Sequence, residues 1–168
     1  MSDAAANDPN KGPAMIRGSM VILQVLIVLI GLVVAGLLLW EPHLEGRNAT
    51  ATVFEIYFRD PFLAYAYVAA IPFFVGLYQA FKVAGYAGQN RLFSQDAVKA
   101  VRTIKHCAMA IIGFVVGGEL YIILVVRDED GAGGIMIGLF IILCSIVTAG
   151  VAAWIERALQ KKVGTHTT

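Results

Sequence analysis

Charge is what this chain has least of. Of its 168 residues 13 are Lys or Arg and 12 are Asp or Glu, 15% together, while 58% are hydrophobic, against roughly 45 to 50% apolar usage in soluble domains. With a mean hydropathy of +0.74, this is the composition of a membrane protein. Cysteine is scarce as well. Cys107 and Cys144 both lie in apolar runs and carry no information about redox compartment. On the spans proposed below Cys144 lies about 16 Å deeper than Cys107 at the usual helical rise, which argues against a disulfide. The three histidines, His43, His106 and His166, are scattered, and a haem or metal centre needs more ligands than one histidine beside one cysteine. No glycine-rich phosphate loop follows a strand, and neither Ser94 nor Ser145 has a histidine placed to activate it. The sequence therefore points away from an enzyme and implies no cofactor and no metal.

What is present is a set of four apolar stretches: Met20 to Trp40, Phe62 to Phe81, Cys107 to Val126 and Ile135 to Ile155. Each is long enough as a helix to cross a hydrocarbon core of about 30 Å. The first could be taken for a cleaved signal peptide ending at Ala49-Thr50-Ala51. It exceeds the length of a signal core, however, and Glu41, Glu45 and Arg47 intervene, so an uncleaved anchor is expected. Pro72 removes a backbone donor near the middle of the second stretch and is expected to kink it. Trp40, Tyr65, Tyr78 and Trp154 fall near span ends, as interfacial aromatics do. The expected organisation is a tail over 1–19, a membrane domain over 20–158 and a tail over 159–168. Residues Met1 to Pro13 have no periodicity. In the loop from Glu41 to Asp60, Val53 to Phe58 reads equally as a strand or a surface helix. Asn48-Ala49-Thr50 fits the glycosylation triplet, which matters only in a secretory-pathway host.

The few charges are unevenly shared. Two Lys or Arg precede the first span, five lie between Lys82 and Lys105 and three follow the fourth, ten on one side; the other side has Arg47, Arg59 and Arg127. Seven acidic residues lie on that second side against four on the first. Basic residues mark cytoplasmic loops, so both termini and residues 82–105 are expected in the cytoplasm.

Between the second and third spans the sequence signals a helix start. Ser94 is placed to cap it, Asp96 puts negative charge in the first turn, and Phe93 and Val98 have hydrophobic-staple spacing. Val98, Val101 and Ile104 then form an apolar stripe beside the basic Lys99, Arg102 and Lys105. No breaker separates this helix from the third span, which predicts one helix of about thirty residues beginning in the cytoplasm. The basic stripe is a candidate face for lipid headgroups or for a partner; direct nucleic-acid binding is not expected. Gly113 and Gly117 form a G-x-x-x-G face suited to helix packing within the chain, or to a homo-oligomer; Gly31, Gly36, Gly138 and Gly150 are read as packing positions too.

One ionisable acidic residue, Glu119, interrupts a span. A carboxylate in hydrocarbon costs several kcal/mol unless it is protonated, paired or hydrated. It is either a neutral acid hydrogen-bonded to a neighbour such as Tyr67, tightening the helices, or the site of an ion, proton or ligand.

The residues Gly76-Leu77-Tyr78-Gln79-Ala80-Phe81, Leu92-Phe93-Ser94 and Val98-Lys99-Ala100-Val101-Arg102-Thr103-Ile104-Lys105 resemble a bacterial family of small four-helix membrane proteins, the YoaS-like (DUF2975) family. Its members place a Phe-Ser helix start and a Leu-Arg-x-Ile pattern between the second and third spans; Phe93, Ser94, Arg102 and Ile104 match, and Val101 replaces the leucine. The resemblance implies an all-α, four-span up-down bundle in a bacterial cytoplasmic membrane. It also implies a small helix-turn-helix regulator as a companion. The expected function is non-enzymatic sensing or regulation through a cytoplasmic partner at residues 82–105. The alternative is a small oligomeric proton-coupled transporter or channel that uses Glu119.

Overall fold

The computed structural model describes residues 11–44, 61–126 and 131–165, with side chains over 17–40, 64–124 and 134–164. The Asn48 triplet, the 53–58 segment and the acidic turn at 127–130 lie outside the described residues. The chain forms four long helices: α1 (Lys11–Leu44), α2 (Pro61–Gly88), α3 (Gln95–Tyr121, continued by a π-helical turn over Ile122–Val126) and α4 (Gly131–Thr165). Each contains a segment long and apolar enough to cross a membrane: Arg17–Trp40, Ala64–Gly88, Gln95–Leu124 and Gly134–Gly164. The all-α, four-span reading therefore holds. Helix reaches further than expected at both ends, since α1 starts at Lys11 and α4 runs on to Thr165. The 35 residues of α4 would measure about 52 Å, well beyond a hydrocarbon core of about 30 Å.

The turn between α2 and α3 is set by local chemistry. Asn90 adopts a left-handed conformation with φ of 55°, which Asn tolerates better than most residues. Arg91 N–H then donates to Tyr86 O at 2.8 Å and Asn90 N–H to Ala87 O at 3.2 Å, the two bonds of a Schellman cap that use carbonyls α2 would otherwise leave free. Four residues on, Ser94 is extended and its Oγ accepts from Ala97 N–H at 3.2 Å; Asp96 lies in the first turn. The predicted helix start is thus found where the sequence put it. Phe93 is half-exposed, with Lys162 Nζ 4.7 Å from its ring centroid. Helix α2 runs through Pro72 as one element, opened by Pro61 at a position where the missing N–H costs nothing.

The helices pack in chain order: α2 on α1, α3 on α2 and α4 on α3, with no comparable contact between α1 and α4 among the described residues. Contacting residues run in opposite directions, as in Gln24 with Phe81 and Leu38 with Tyr67, or Arg102 with Glu156 and Glu119 with Gly138. The array is up-and-down but open, not a bundle closed by its first and last helices. Small residues set the spacing: a Cβ at Gly31 would meet Leu77 Cδ2 at 2.9 Å, and one at Gly88 would meet Met20 Cβ at 3.2 Å.

The close-packed part lies at the end carrying the α2–α3 turn. Ala97, Val98 and Val101 of α3 and Ala152 and Leu159 of α4 are buried, with Val83, Tyr86, Ile104, Ile155 and Val163 packed around them. Ala97 is wholly inaccessible. Leu159 and Val163 belong to the stretch expected to be a tail; they are the last turns of α4 and part of this cluster. Elsewhere the apolar side chains face outward, including Ile22, Leu32, Phe140 and Leu143. In a membrane-spanning helix that is the face lipid covers.

Candidate functional site

Away from the packed end, the helices separate around a cavity of about 770 Å³. Helix α3 is its spine, contributing residues from Ile104 to Ile122; Val34 and Leu38 of α1, Tyr65 to Ala80 of α2 and Gly134 to Thr148 of α4 complete the wall. Small residues on α2, Ala66, Ala69 and Ala70, face this space, while Gly76 and Gly134 take close contacts from α3. The volume falls in the range of small-molecule sites, about 300 to 1,000 Å³. Its chemistry is almost wholly apolar. The hydroxyl of Tyr65 donates to Phe114 O, and that of Thr148 donates to Cys144 O at 2.8 Å. Both protons are spent on backbone carbonyls. Cys107 and Cys144 both line the cavity as free thiols.

Glu119 belongs to this wall. Its Oε1 is the buried side-chain oxygen that has no hydrogen-bond partner among the described residues. The carboxyl is seated against Gly138 of α4, where a Cβ would occupy the same space. Glycine at 138 therefore makes room for the acid. Tyr67, the expected neighbour, donates instead to Leu38 O at 2.7 Å and ties α2 to α1. Tyr65 is the tyrosine that reaches α3, packing edge-on to Phe114 with centroids 5.7 Å apart and filling the surface of Gly117 and Gly118. Of the G-x-x-x-G pair, Gly117 thus receives a neighbouring helix, whereas a Cβ at Gly113 would meet nothing within 4 Å. Three residues past Glu119, α3 widens into its π-helical turn, with Ile122 N–H directed to Glu119 O and Gly118 O; such turns recur at functional sites.

The second charged constellation sits beside the packed cluster. Arg102 Nε and Lys105 Nζ of α3 each lie 2.7 Å from a different oxygen of Glu156 on α4, and Gln160 Nε2 donates to Oε1 at 3.4 Å. The Glu156 side chain is only 8% exposed, against 50% for Arg102 and 27% for Lys105. A buried carboxylate is tolerable when cations and donors satisfy both oxygens, and here they do. Two of the three residues of the basic stripe are thereby held by the chain itself, while Lys99 remains exposed. His106, one turn on, has Nδ1 2.8 Å from Arg102 O. Among the described residues no group of three His, Cys, Asp or Glu side chains could hold a metal.

Sequence reasoning found Glu119 because an acid inside an apolar run is visible as such. It passed over Glu156, grouped with the basic residues after the fourth span, because an acid next to Arg157, Lys161 and Lys162 reads as a solvated one. The seat on Gly138 had no local signal.

Comparison with known proteins agrees with this architecture. Residues 47–165 match the family described as "Protein of unknown function (DUF2975)". The chain is 35% identical over 150 residues to the "Uncharacterized membrane protein YoaS" of Bacillus subtilis (strain 168), covering 89% of this chain and 94% of that protein. No solved structure gives a significant match. With its four apolar helices and a match that spans most of its length, the chain belongs to the DUF2975 family of membrane proteins.

Proposed function

We propose that this protein is a non-enzymatic, multi-pass protein of the bacterial cytoplasmic membrane, with both termini and residues 82–105 in the cytoplasm, that senses or regulates through a partner bound at that segment. The observation that carries the reading is the course of α3. It runs without a break from the Ser94 cap, past the Arg102–Glu156–Lys105 contacts, to Glu119 in the cavity wall. A helix fixed at one end by packing and charge, and lining a cavity along the rest, can relay occupancy of the cavity to its fixed end. The ten-to-three division of basic residues supports the orientation. The exposed Lys99, beside Asp96 and Gln95, offers a polar surface for the small helix-turn-helix regulator implied by the family resemblance. Cysteines placed by Arg47→Cys and Gly131→Cys should react with an impermeant thiol reagent in intact cells, and one placed by Gln89→Cys should not. The neighbouring regulator should then co-purify with the intact protein and be lost on Lys99→Glu. Labelling of the Gln89→Cys protein alone would reverse the orientation and remove the partner site.

The unpartnered oxygen of Glu119 favours a second reading, a small oligomeric proton-coupled transporter or channel. Solute flux in proteoliposomes abolished by Glu119→Gln would select it.

A further inference from the structure

We infer that the cavity is a binding site for a lipophilic amine, with its ammonium group on the Glu119 carboxylate and its hydrocarbon body lying along α3 toward the packed end. The inference deepens the sensing reading by naming the class of ligand sensed.

Four observations converge on that class. The cavity, about 770 Å³, has the size of a drug-like ligand and walls of alanine, glycine and aliphatic or aromatic side chains, which calls for an apolar body. The hydroxyl protons of Tyr65 and Thr148 are already committed to backbone carbonyls, which leaves the buried Ser145 as the one further hydroxyl among the described lining residues. Glu119 brings an acceptor group to the wall: its Oε1 is sealed against Gly138 with no hydrogen-bond partner among the described residues, so a ligand meets the carboxyl through its cavity-facing side. Finally, neither Lys nor Arg lines the cavity among the described residues, so none of them supplies the carboxylate with a counter-charge there. A buried carboxylate without one is costly in hydrocarbon. An ammonium supplies both missing terms at once, three N–H donors and a positive charge. Phe73 and Phe114 also line the cavity, and aromatic rings suit a cation better than an anion. A neutral alcohol of the same shape could donate a proton but would leave the charge unbalanced.

The test uses the full chain in lipid nanodiscs, without any partner, and a fluorescent naphthyl-alkylamine paired with the alcohol of the same skeleton. The amine should bind saturably, and Glu119→Gln should weaken it by about tenfold or more, the discrimination that one charge-assisted contact supplies. The alcohol should bind weakly and be indifferent to that substitution. Bound amine should also slow alkylation of Cys144, an exposed thiol on the same wall. Should Glu119→Gln fail to fold, Ala70→Trp serves in its place, because it adds bulk to the cavity wall from α2, a helix that carries neither Glu119 nor Gly138. Amine affinity unchanged by Ala70→Trp, or equal binding of amine and alcohol, would overturn the inference and indicate a groove that takes any acyl chain. So would absence of saturable binding. None of these failures touches the partner surface around Lys99, which is measured separately.

Discussion

The two ends of the helix array solve the problem of filling space differently. At the end bearing the α2–α3 turn, Ala97, Val101 and Leu159 close the gap, and Glu156 is satisfied by Arg102, Lys105 and Gln160. Toward the other end, alanines and glycines leave a cavity, and a second glutamate, Glu119, keeps an oxygen without a donor. Neighbouring helices thus carry two carboxyl groups in opposite situations. Glu156 is buried and has both oxygens met by cations; Glu119 is half-buried, and its buried Oε1 has no partner among the described residues. Full satisfaction rigidifies, whereas an unsatisfied polar group in an apolar cavity marks a place where something else binds or a proton is exchanged.

The largest effect should come from stripping the satisfied acid of its cations. Arg102→Ala with Lys105→Ala leaves Glu156 buried and unpaired, a class of change that costs about 3 to 5 kcal/mol. A thermal melt in nanodiscs should show a large loss, with much of it recovered by adding Glu156→Leu. Failure of that rescue would mean that the cations, and not the unpaired carboxylate, set the stability of this end.

A smaller effect separates the two glycines of the G-x-x-x-G pair. Gly117→Ala would press a methyl to 2.8 Å from the Tyr65 hydroxyl and should cost on the order of 1 to 3 kcal/mol, as overpacking does. Gly113→Ala meets open space and should be neutral or slightly stabilising, since alanine is the better helix former. Equal destabilisation by both would show that Gly113 is covered, for instance by a second copy of the chain.

These contrasts bear on what could be read in advance. The four helices were legible because uncharged runs of membrane length need no tertiary information. The start of α3 was legible because Ser94 and Asp96 act within one turn. The cap formed by Asn90 is equally local and could have been recognised in Gly88-Gln89-Asn90. Partnerships across helices were not legible. Arg102 and Lys105 meet Glu156 across separations of 54 and 51 residues, and nothing in spacing selects that acid over a solvated one. Tyr67 was the expected neighbour of Glu119, and Tyr65 was expected only at a span end. Two residues apart on a helix they point about 200° away from each other, and the facing of α2 sends Tyr65 to Phe114 and Tyr67 to Leu38. Gly113 and Gly117 share a face by spacing, yet only Gly117 meets Tyr65. The cavity itself is a property of four helices together, foreshadowed only by the alanines and glycines that make it.

If Glu156 holds the fold together and Glu119 does not, the same substitution at the two positions should separate them. The direct measurement is the melting temperature of the Glu119→Gln and Glu156→Gln proteins in the same nanodiscs. Glu156→Gln removes two charge-assisted hydrogen bonds and should lower stability by on the order of 2 kcal/mol, the usual worth of such bonds. Glu119→Gln should leave the melting temperature unchanged or raise it. A loss on Glu119→Gln as large as that on Glu156→Gln would contradict the account, since Glu119 would then be a structural residue.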